Sequence, residues 1–141
     1  MSVTYITATL RREVEARAHH WCEYCLLPDD LSYFPHEIDH VIAEKHGGAT
    51  KLENLVLTCW RCNRYKGTDL GSFDPQTGSF AFLFNPHRQN WIDHFRLREV
   101  LIEPLTPEGR TTAFLLRLNT AERQTERRRL LEQKRYPPFE L

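Results

Sequence analysis

An acidic residue stands next to a histidine in Glu37-Ile38-Asp39-His40-Val41, with Cys22xxCys25 before this stretch and Cys59xxCys62 after it. A carboxylate beside an imidazole is a potential catalytic pair, because the imidazole can exchange a proton near neutral pH. The four cysteines could form two disulfides, a redox pair or one four-thiolate metal site. A reducing cytoplasm disfavours disulfides, and a redox CxxC calls for a preceding strand in a βαβ pattern. One tetrahedral zinc on Cys22, Cys25, Cys59 and Cys62 is favoured, since thiolates at this spacing chelate without strain. Four thiolates complete such a site, which leaves His19 and His20 outside it.

The surrounding elements must deliver these groups. Apolar residues at Leu10, Val14, Ala18 and Trp21 predict an amphipathic helix capped at Thr9 and leading into Cys22. Alternation over Phe34 to Ile42 predicts a strand with Glu37, Asp39 and Val41 on one face and His36, Ile38, His40 and Ile42 on the other. Asp39 and His40 can then serve one site only if the strand ends or bends there. Gly47-Gly48 marks a loop. Leu55-Val56-Leu57 reads as a short buried strand, and Thr58 as the cap of a helix from Cys59 to Lys66 that Gly67 ends.

Beyond Gly71 the pattern changes. Asp74-Pro75-Gln76-Thr77-Gly78 supplies turn chemistry for a hairpin over 71–84, with Phe80, Phe82 and Phe84 alternating along its second arm. Short strands or a helical turn are expected around Trp91 to Arg96 and Val100 to Leu105. Thr106-Pro107 opens a helical stretch, and Asn119 or Thr120 caps a last helix running to about Lys134.

Composition narrows the class. A chain of 141 residues with 40% hydrophobic and 27% charged side chains suits one soluble globular domain with a modest core. Its mean hydropathy of -0.56 argues against a membrane span. The N-terminus lacks a charged head followed by an apolar stretch, so the expected location is cytoplasmic. Formal net charge is zero, yet Arg110, Arg117, Arg123, Arg127, Arg128, Arg129, Lys134 and Arg135 make the tail locally basic. A nucleic-acid partner therefore survives the neutral total.

Cys22xxCys25, Asp39-His40-Val41-Ile42, Gly47-Gly48, Asn54-Leu55, Cys59xxCys62-Asn63 and Lys66-Gly67, in this order, resemble the zinc-stapled branch of the HNH endonuclease family. The resemblance implies an α+β fold built on a ββα-metal (His-Me) finger with a structural four-cysteine zinc, an N-terminal helix, and a C-terminal hairpin plus helices. It also implies a second, catalytic divalent metal and a DNA substrate. Carried over by motif position, His40 is the general base, Asp39 and Asn63 are ligands of the catalytic metal, and Asn54 braces the loop that orients His40. Two oxygen ligands suit Mg²⁺ or Mn²⁺ better than Zn²⁺ or Ni²⁺ at that second site.

Arg61, Arg64 and Lys66 lie on the short helix beside the implied metal, and they are the expected DNA contacts, Lys66 foremost. Asp74-Pro75-Gln76-Thr77-Gly78, Phe84-Asn85-Pro86 and Trp91-Ile92-Asp93-His94-Phe95 resemble a subgroup of small bacterial HNH proteins. His87 stands where that subgroup carries Arg, and Trp91 and Phe95 are expected in the core. The organisation expected is an HNH domain over 1–70 with an extension over 71–141 packed on it. The resemblance implies a metal-dependent DNA endonuclease or nickase. The alternative is a zinc-stabilised module that binds nucleic acid without cutting it.

Overall fold

Residues 4–139 are described by a computed structural model of the chain. Among the described residues it is a mixed α/β structure of five α-helices, three short 3-10 helices and three two-stranded antiparallel sheets. Helix α1 (Ala8–Arg17) begins at Thr7, whose hydroxyl accepts from the Leu10 amide at 3.1 Å, two residues ahead of the expected cap. Its buried Val14 packs with Ala18 against Leu55 and Leu57.

Strand β1 (Glu37–His40) pairs with β2 (Leu55–Thr58), placing Asp39 opposite Val56 and His40 opposite Leu55. β1 is shorter than the 34–42 alternation implied. Pro35 brings no amide to a ladder, and beyond His40 the backbone turns to Asn54: Val41 donates to its carbonyl at 2.9 Å and Ile42 to its side chain at 2.9 Å. Helix α2 (Trp60–Lys66) follows β2 directly. Cys59 is its N-cap in place of Thr58, accepting from the Cys62 amide at 3.4 Å, so the ligand spacing and the cap share one residue.

β3 (Gly71–Phe73) and β4 (Phe80–Phe82) form the expected hairpin, whose turn is tied down by Asp74. That carboxylate accepts from the Gln76 amide at 2.9 Å and from Arg110 Nε and Nη2 at 3.0 and 2.8 Å. The single turn α3 (Trp91–His94) leads into the hairpin of β5 (Phe95–Arg98) and β6 (Leu101–Pro104). Thr106 caps α4 (Pro107–Leu115) through the Gly109 amide, and Thr120 caps α5 (Ala121–Glu132).

The main core joins early and late segments of the chain. Cys22, Tyr24 and Val56 pack with Trp91, Phe95, Ile102, Leu116 and Tyr136. The Trp91 indole donates to the Tyr24 carbonyl at 2.8 Å, and the Tyr136 hydroxyl to the Cys25 carbonyl at 2.6 Å. No helix among the described residues is long and apolar enough to cross a membrane.

Candidate active site and metal centre

The four cysteines converge. All are buried, and one sulfur from each lies within 4.8 Å of the others. Cys25 and Cys59 Sγ are 3.6 Å apart. Zinc–sulfur bonds of about 2.3 Å give a tetrahedron with edges of about 3.8 Å, so the donor set fits zinc in type and spacing. Burial pushes the Cys22 thiol up, while hydrogen bonds from Cys22, Cys59 and Cys62 hold the Cys25 thiol well down.

Arg123 of α5 closes this centre. Its Nη2 donates to Cys62 Sγ at 3.2 Å and Cys59 Sγ at 3.7 Å, and its Nη1 to the Leu116 carbonyl at 2.9 Å. Burial works against the guanidinium charge, but the adjacent thiolates more than offset it. Arg127, also buried, donates to the Val100 carbonyl at 2.6 Å and Asn119 Oδ1 at 2.9 Å. Two arginines of the basic tail are therefore internal, a placement the charge count alone could not reveal.

Asp39, His40 and Asn63 line one open cleft of about 1020 Å³, together with Glu37 and Glu44. β1 ends at His40, so side chains of opposite parity border the same space. Asp39 turns toward α2, where Lys66 Nζ lies 2.9 Å from its Oδ2. This ion pair holds the buried Oδ2 on the protein side. Burial pushes the Asp39 carboxyl up against the opposing pull of Lys66. The carboxylate's other oxygen is the one that would be offered to a cation, and a hard metal suits such a donor. Asn63 Nδ2 donates to the Glu37 carboxylate, which leaves its carbonyl oxygen as its remaining donor atom for a metal.

Lys66 differs from its expected role. It is 2% exposed, and its ammonium also donates to the His40 carbonyl at 2.9 Å, so it is an internal cation and not a phosphate contact. Arg61 is also committed elsewhere. It lies over the Trp60 ring and pairs with Glu126 at 3.2 Å. Arg64 is exposed on the cleft, where it has no ion pair among the described residues.

Asn54 clamps the loop after His40. Its Nδ2 donates to the carbonyls of Ile42 and Ala49, both at 2.9 Å, while its Oδ1 accepts from Ile42. Gly48 makes this closure possible, because a Cβ there would lie 1.7 Å from the Ile42 carbonyl oxygen and 2.8 Å from Asn54 Nδ2. His87, at the position where the resembling subgroup has Arg, bonds the Leu55 carbonyl at 2.6 Å.

The His40 ring is held by two residues that the sequence did not single out. Its Nε2 lies 2.9 Å from Thr50 Oγ1, and the Thr50 hydroxyl donates to Glu44 Oε1 at 3.0 Å. An ionised carboxylate only accepts, so the hydroxyl spends its proton on Glu44 and accepts from His40. His40 therefore carries its hydrogen on Nε2 and its lone pair on Nδ1. Glu37 was legible, being two positions from Asp39 on the same strand face, whereas Thr50 and Glu44 reach His40 only through the folded loop.

Residues 22–69 match the family model of the HNH endonucleases. The match spans about a third of the chain, and over that segment the chain is similar to an HNH endonuclease domain, which supports nuclease-type chemistry in general. No curated protein and no solved structure matches the chain.

Proposed function

We propose that the protein is a metal-dependent DNA endonuclease or nickase, with β1, β2 and α2 forming a ββα-metal finger. The observation that carries this reading is the chain of hydrogen bonds from His40 Nε2 through Thr50 to Glu44, which leaves Nδ1 as the basic atom. His40 lines the cleft that Asp39 and Asn63 also line.

In the proposed reaction His40 Nδ1 takes a proton from the attacking water, within the range of an imidazole base near neutral pH. The imidazolium so formed faces Glu44, whose Oε1 is 3.5 Å from Nε2. Asn54 keeps the loop closed and with it the position of Thr50. Asp39 and Asn63 would hold a divalent cation, Mg²⁺ or Mn²⁺ by their oxygen donors, and such a cation would supply charge neutralisation at the phosphate and the departing 3′ oxygen. Lys66 fixes the Asp39 carboxylate from the protein side, and the zinc on the four cysteines stays structural. Arg64 is the contact we assign to the DNA backbone.

Plasmid DNA incubated with the purified protein and Mg²⁺ or Mn²⁺ tests this, beside a His40→Ala control and a chelator control. Relaxed or linear product from wild type alone is the expected result. Equal survival of the plasmid and of a single-stranded substrate with wild type and control, at all salt concentrations, leaves only the reading of a zinc-stabilised binding module.

A further inference from the structure

An exposed aromatic ring lines the cleft, and a second exposed ring adjoins it. Phe34 lines it at 47% exposure, and Tyr33, at 89%, stands edge-on to Phe34 with ring centroids 4.8 Å apart. Phe34 in turn stands edge-on to Trp60 at 5.3 Å, and Trp60 lines the same cleft. Exposed rings grouped at a functional cleft are a common mark of a binding surface, because leaving them in water costs stability that contact can recover.

The charges beside them indicate what would cover them. Arg11 of α1 and Arg64 of α2 both line the cleft and are exposed, with no ion pair among the described residues. Aromatic faces next to free guanidinium groups are the two parts of a single-strand site: rings that stack on bases and cations that follow the phosphates. Intact duplex presents phosphates but keeps its base faces inside the helix, so it would use the arginines and leave the rings uncovered.

We propose that the substrate class is DNA with unpaired nucleotides at the scissile phosphate, such as a single strand, a flap or a junction. Tyr33 and Phe34 stack on the unpaired bases, while Arg11 and Arg64 hold the backbone on either side. This rests on the nuclease reading for the identity of the cleft, but its binding test needs no chemistry.

Fluorescence anisotropy without added Mg²⁺ or Mn²⁺ and without chelator, with a labelled single strand and the corresponding duplex, separates the possibilities. Tyr33→Ala and Phe34→Ala are surface changes that should fold normally. Each is expected to weaken single-strand binding about tenfold, the scale of one base–aromatic stack, and to change duplex binding less than about twofold. Arg11→Gln and Arg64→Gln should each lower the salt dependence of single-strand binding by about 0.7 in the log–log slope. Ring variants that bind the single strand like wild type, or that lose equally on both forms, overturn the proposal. If plasmid cleavage persists in that case, the nuclease reading stands without it; a wild type that binds neither form overturns both.

Discussion

In the proposed mechanism, His40 owes its direction as a base to Thr50 and Glu44. Thr50→Val removes the acceptor that keeps the proton on Nε2. Single-turnover cleavage should then fall roughly 10- to 100-fold, the scale on which losing an orienting hydrogen bond to an imidazole acts, with DNA affinity unchanged. Lys66 makes a different prediction because it is buried. Lys66→Met strands the Asp39 carboxylate without its cation, and urea unfolding should show a loss of about 3 kcal/mol. Were Lys66 a phosphate contact, the same change would alter salt dependence and leave stability nearly untouched.

Among the elements, the hairpin over 71–84 and the strand, loop, strand and helix of the HNH-like segment were legible because Gly, Pro and Asp sit at turns where their chemistry is local and Leu55-Val56-Leu57 is an apolar run, although the helix cap fell on Cys59 and not Thr58. Less legible were the ends. β1 stops at His40 because Asn54, fourteen residues on, captures Ile42, and no pattern within the strand records that. Gly48→Ala should prevent this closure, with activity lost while the four-cysteine centre keeps its zinc, as metal analysis can show.

The Asp74 turn adds a pH dependence. Hydrogen bonds from the Arg110 guanidinium hold the Asp74 carboxyl well below the usual carboxylate range. A carboxylate whose pKa is depressed on folding contributes stability that is complete above its unfolded pKa of about 3.9 and lost as pH falls toward the folded value. Arg110→Met should therefore lower the melting temperature at neutral pH, and the difference from wild type should shrink on acidification below about pH 4.

At the scale of the whole molecule, the cysteine centre lies within a core shared by early and late segments, and Arg123 reaches its sulfurs from the last helix. Sequence spacing exposed the four ligands because each CxxC is local. It hid Arg123, which looked like one more charge in a basic tail, and it hid that exposed Phe34 and Arg64 line one cleft. We expect the C-terminal segments to melt together with the HNH segment. Zinc removal should abolish that single transition, and Arg123→Met should speed zinc loss to a chelator.

The central claim is that His40 performs chemistry and does not merely hold DNA. Its most direct test is the single-turnover cleavage rate of wild type and His40→Ala with Mn²⁺ at saturating protein, where binding no longer limits. The account predicts a fall of at least about 100-fold on loss of the general base. A variant that cuts at the wild-type rate would contradict it.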